Sequence, residues 1–165
     1  MKKLIYLSLA LMMLSMTACS SDDDDNTTTN DITANGPTGT PHSRPTDWTQ
    51  MQADDYDFGL SSMMITVGTD GIPAGVELND GDLMAAFVNG ECRAAASPQA
   101  DSNGQTWFFL NIPSLMSDND SKSLPVELRY YSTSRGAIYT AKSFEYIADG
   151  WKGSVVNGGF VPQWQ

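Results

Sequence analysis

The sequence predicts an all-β domain built as a single antiparallel β-sandwich, and three observations carry that expectation. From Asp47 to Gln165, turn residues punctuate the chain about every ten residues, the spacing of short strands in sandwiches. The runs between the turns favour extended structure through their Val, Ile, Thr, Phe, Tyr and Trp content. No stretch carries the three-and-four apolar spacing of an amphipathic helix.

The elements follow in order. "LSSMMITV" (Leu60–Val67) is a strand that ends at "GTDG". "DLMAAFV" (Asp82–Val88) and "ECRAAA" (Glu91–Ala96) flank Asn89-Gly90. An Asn-Gly pair accepts positive φ at both central positions of a type I′ turn, so these runs should form a hairpin. "QTWFFLNI" (Gln105–Ile112) is apolar from Trp107 through Leu110, so both of its faces should be covered in a central position. "IPSLMSDND" has room for one short helical turn. "PVELRYYS" alternates, with Val126, Leu128 and Tyr130 on one face and Glu127, Arg129 and Tyr131 on the other. "TSRG" turns the chain into "AIYTAKSFEYI" (Ala137–Ile147), and "DGW" opens a last segment that closes with "GGFVPQW". The sum is about seven strands, in an immunoglobulin-like or jelly-roll-like sandwich.

Ahead of this domain the composition changes twice. Lys2 and Lys3 precede the apolar run "LIYLSLALMMLSM", and Thr17-Ala18 supply small residues before Cys19. That is the layout of a cleavable leader over residues 1–18, because the run is too short for the ~30 Å of a bilayer core. "MTAC" resembles the lipobox of bacterial lipoproteins, with Met16 in place of the usual aliphatic residue. The resemblance implies that Cys19 becomes the lipidated first residue of the mature chain and anchors it in outer-membrane lipid. The chemistry agrees, since a thiolate is the side chain nucleophilic enough to accept the lipid. "CSSDDDD" (Cys19–Asp25) is similar to the export tag of Bacteroidetes-type surface lipoproteins, which implies display on the outer face of the outer membrane. The plainer alternative is a solvated acidic run that keeps the tether extended. Asn26 to Thr46 is mostly Thr, Asn, Gly and Pro, which cannot bury enough apolar surface to order itself. Residues 19–46 therefore read as a disordered tether reaching roughly 30 Å, and residues 47–165 as the folded domain.

Charge and residue types exclude several functions. The formal net charge is −11, from twenty acidic and nine basic residues, so nucleic acid is a poor partner. The sole histidine, His42, lies in the tether, which leaves Cys92 without a base and argues against Ser-His-Asp and zinc chemistry. Cys92 reads as a small core hydrophobe beyond the Asn89-Gly90 turn. Asp70, Glu77, Asp80 and Asp82 cluster in one loop and Asp118 and Asp120 in another. Neither segment completes a calcium loop, and solvated Asx turns are the simpler reading. A short-stranded domain of this size leaves little depth for a two-carboxylate glycosidase cleft. The chain reads as a non-enzyme with no catalytic residues, no metal and no cofactor.

"DGDLMAAFVNGECRAAA", with "SSMMITV" before it and "YYSTSRGAIYTAKSFEYIADG" after it, resembles a β-rich module of Bacteroidetes surface and secreted proteins. Ala94 stands where that module usually has glycine. The resemblance implies an extracellular sandwich and brings no activity. Exposed indoles and phenols stack on the C–H faces of sugar rings while carboxylates and amides take the hydroxyls. On that ground Trp151, Tyr131, Arg129 and Glu127 are the candidate ligand residues, and a glycan or other nutrient is the expected ligand. The alternative is a structural or adhesive module that docks on a neighbouring envelope protein, lending it an edge strand.

Overall fold

The computed structural model describes residues 36–165 apart from 53, 55, 56, 120 and 122. The leader, Cys19, the aspartate run, the first part of the tether and Asp120 lie outside the described residues. In chain order the strands are β1 (Thr40–Pro41), β2 (Phe58–Gly68), β3 (Leu83–Val88), β4 (Glu91–Ala96) and β5 (Gln99–Ala100). They continue with β6 (Thr106–Leu115), β7 (Pro125–Ser132), β8 (Ala137–Thr140), β9 (Phe144–Glu145) and β10 (Trp151–Lys152). The single helical turn expected in "IPSLMSDND" is a 3-10 turn at Met116–Asp118.

Two sheets form the expected sandwich. One has the order β1-β8-β7-β3-β4, with β9 joining the start of β7. The other has the order β10-β2-β6-β5. Pairing is antiparallel except between β10 and β2. The Asn89-Gly90 turn has φ of 53° and 80°, as the hairpin between β3 and β4 requires.

The core follows from strand alternation. Met63, Ile65 and Val67 of β2 and Phe108, Leu110 and Ile112 of β6 point inward from one sheet. Met84, Ala86 and Val88 of β3 and Val126, Leu128 and Tyr130 of β7 meet them from the other. Each large apolar side chain buried this way contributes about 1.5–3 kcal/mol. Phe108 and Tyr130 meet edge to face with centroids 5.9 Å apart, which locks the two sheets in one register.

Three departures from the sequence reading have physical causes. Thr40–Pro41, inside the expected tether, pairs with Ala137–Ile138 of β8, so strand pairing begins before Asp47. The run Ala137–Ile147 is broken, because the Lys142 N–H donates to Gln163 O at 2.7 Å and Ala141 bridges Trp164. The C-terminal segment thus takes over the pairing between β8 and β9. Phe109 is 39% exposed, so β6 is covered on its inner face and only partly on its outer one.

Candidate functional site

The four residues expected to bind ligand do not come together. Glu127, Arg129 and Tyr131 lie on the outer face of the six-stranded sheet, and Trp151 lies on β10 in the other sheet. Arg129 Nε donates to Glu127 Oε1 at 2.6 Å, and its guanidinium carbon sits 4.0 Å from the Phe87 ring centroid. Tyr131 is only 6% exposed, packed with Trp48, Leu83, Ala85 and Phe87. This corrects the polar face read from the sequence. The segment after the tether crosses that face and sets Trp48 on Phe87, with centroids 5.6 Å apart. Arg129 and Glu127 remain about a third exposed but already satisfy each other.

Trp151, by contrast, is open to solvent at 76% exposure. Parallel pairing sets it beside Met64 of β2, so both point outward on the same face. Met64 opposes Asn111, and Thr66 opposes Phe109, which places Phe109 diagonally from Met64 on that face. Met64 is 42% exposed. The strands that carry the face, β2 "FGLSSMMITVG" and β6 "TWFFLNIPSL", hold no ionisable side chain in a chain of net charge −11. The signal was present in the sequence: Met63, Ile65 and Val67 alternate with Met64 and Thr66, which obliges the second set to face outward.

The buried polar groups serve the fold. After the turn, Phe87 pairs with Cys92 and Ala86 with Ala94, so Arg93 is an extra residue in a β-bulge. The bulge resets the alternation beyond it, so Ala94 and Ala96 face the core and Ala95 the outer face. Cys92 packs on the outer face beside Phe87, not in the core as expected, while Arg93 turns inward and is 2% exposed. Its guanidinium closes on Asp118 through both terminal nitrogens, one of them at 2.9 Å from Oδ1. Asp118 also accepts the Leu115 N–H at 2.7 Å. The hydrogen bonds from Arg93 hold the Asp118 carboxyl below the usual carboxylate range, against the opposing effect of burial. Asp82 is fully buried and accepts the Asn79 and Thr133 N–H groups and the Tyr130 hydroxyl. Burial first, and then Asp82, push the Tyr130 phenol well above its ordinary range, so it stays a donor. Two carboxylates from the acidic clusters are therefore engaged internally. Among the described residues, no three His, Cys, Asp or Glu side chains come together as a metal site.

Cys92 is free, with Thr49 O 3.6 Å from its sulfur. Desolvation pushes its thiol up, which keeps it protonated and a weak nucleophile. It lines an open cleft of about 590 Å³ with Asp47, Gln50, Phe87 and Glu91. A second, more apolar cleft of about 420 Å³ lies among Leu60, Ser114, Met116, Leu124, Tyr146 and Ala148. Its hydroxyls are already partnered: Ser114 Oγ donates to Ser61 O at 2.8 Å, and the Tyr146 hydroxyl donates to Ile112 O at 3.4 Å. Trp164 caps one end of the core, its Nε1 donating to Gly71 O at 2.9 Å. Among the described residues no helix is long and apolar enough to cross a membrane. No family model, curated protein or solved structure matches the chain.

Proposed function

We propose that this chain is a lipid-anchored protein of the outer face of the outer membrane, and that its sandwich binds a glycan or similar nutrient. The reading is of a binding module and not of an enzyme. The observation that carries it is the uncharged outer face of the four-stranded sheet, where Trp151 stands exposed beside Met64, Asn111, Thr66 and Phe109. A flat indole offers a stacking surface to a sugar ring, and the Asn111 amide and Thr66 hydroxyl farther along the same face match sugar hydroxyls. Glu127, Arg129 and Tyr131 leave the ligand site, since their partners lie within the protein. The test is a glycan-array screen of the full-length chain in detergent, with Trp151→Ala as control. Binding that Trp151→Ala abolishes supports the reading. Absence of binding to every glycan, together with a stable complex with another envelope protein, overturns it.

A second reading, docking on a neighbouring protein, draws on one observation. The pairing of β2 with β6 slips between Phe58 and Ser62, and the irregularity turns Leu60 fully into solvent beside the apolar cleft. Such irregularities re-aim a side chain, and an exposed leucine next to an apolar cleft suits a protein contact. In that case Leu60→Asp weakens the complex and Trp151→Ala does not.

A further inference from the structure

We infer that the ligand of this face is a neutral, unbranched polysaccharide lying across β10, β2 and β6, with one ring stacked on Trp151 and another on Phe109. The inference rests on the reading that the face binds glycan.

Reach comes first. Trp151 pairs with Met64, Met64 with Asn111, and Phe109 lies two residues before Asn111 on β6. Neighbouring strands lie about 4.8 Å apart and residues rise about 3.4 Å each, so the two rings stand about 12 Å apart on one face. A single sugar ring cannot touch both. A chain of linked rings can, with the intervening ring over Met64. Two polar groups border that middle position. Thr66 stands across from Phe109, and the Asn111 side chain has no hydrogen-bond partner among the described residues. Both are placed to take ring hydroxyls.

Openness comes second. Met64, Phe109 and Trp151 line neither of the two clefts described above, so neither cleft closes round a chain end on this face. A flat strip of this kind takes the interior of a long chain. A branch between the two stacked rings would meet the sheet or lift the chain from it.

Charge comes third. β2 and β6 offer no Lys or Arg to a carboxylate or sulfate, Lys152 of β10 sits over the Phe144 and Phe160 rings on the opposite face from Trp151, and the chain as a whole carries −11. Uronate and sulfated polymers are repelled at a distance and find no counter-ion on arrival. Neutral sugars lose nothing on either count.

The test uses the full-length chain in detergent and titrates it with three probes. These are a neutral unbranched polysaccharide with its ladder of oligosaccharides, a polyuronate, and a sulfated polysaccharide. Affinity for the neutral series should rise with length until the chain spans both aromatics and then level off. Trp151→Ala should lower affinity about tenfold with unchanged melting temperature; Phe109→Ala should lower it about as much at a temperature where the variant is still fully folded, and Phe109→Tyr should keep the native affinity. Binding of the neutral polymer should persist at about 1 M sodium chloride, where ionic contacts are screened. Preference for either polyanion overturns the inference, as does equal affinity for a single ring and a long chain, or indifference to Phe109→Ala. Those results leave glycan binding itself intact. Absence of binding to every probe removes the underlying reading as well.

Discussion

Arg93 shows how one inserted residue redirects a strand. Without the bulge, the register of Val88 with Glu91 and Phe87 with Cys92 would set Arg93 across from Ala86 on the inward face and turn Ala94 outward. With it, Arg93 and Ala94 both face inward, and the buried guanidinium needs a charged partner. Removing one member of such a pair strands the other in a poor solvent, which typically costs about 3–5 kcal/mol. Asp118→Ala should lower stability by that amount in urea melts at neutral pH. Replacing both residues, as in Arg93→Met with Asp118→Leu, should cost far less, since no charge is left behind. The pH dependence has a definite sign. The folded carboxyl titrates below its unfolded value of about 3.9. Its contribution is therefore fully present above that value and is lost as pH falls through the folded pKa. The stability gap between the native chain and Asp118→Ala should close on acidification below about pH 4. A gap that stays constant down to acid unfolding would show that the pair contributes nothing through ionisation.

At the scale of elements, β10 is the piece that presents Trp151, and it is held by glycines. Gly153 has φ of 72°, and a Cβ there would lie 2.1 Å from Phe160 N and 2.5 Å from Thr66 O. Gly75 has a similar φ of 75° but open space around it. Gly75→Ala should therefore cost only the backbone strain, about 1–2 kcal/mol. Gly153→Ala should cost about 3 kcal/mol and also loosen β10 from β2, so glycan binding should fall in step with stability. Equal melting temperatures for the two variants would mean that the C-terminal segment does not clamp β10. The long strands were legible in the sequence because alternation and turn residues act locally. Pro125–Ser132 and the Asn89-Gly90 hairpin needed nothing else. The rest depended on partners far along the chain. Thr40–Pro41 is extended because β8 offers an edge, and Tyr131 is buried because Trp48 crosses its face. Asp82 serves Tyr130 and Thr133, about fifty residues away. The exposed face was half visible: the alternation of Met63 to Val67 marks Met64 and Thr66 as outward, but the pairing that adds Phe109 and Trp151 is tertiary.

At the scale of the whole molecule, the first strand and the face with Trp151 lie on different sheets. The described chain enters through β1 on the six-stranded sheet, and the Gln165 N–H donates to Thr140 O of β8 at 3.0 Å, in the same sheet. The uncharged face with Trp151 belongs to the other sheet. The proposed anchor at Cys19 predicts two separable effects. Cys19→Ser should abolish labelling of the chain by a fatty-acid analogue and release it from the envelope, because the proposed anchor attaches through that one sulfur. Changing Asp22, Asp23, Asp24 and Asp25 to alanine should leave that labelling intact and instead protect the chain from protease added to whole cells. The domain itself should bind ligand equally well in both variants, since the face lies wholly within residues 58–151. Fatty-acid labelling that survives Cys19→Ser would remove the anchor. Unchanged protease sensitivity after the aspartates are replaced would reduce that run to a solvated spacer.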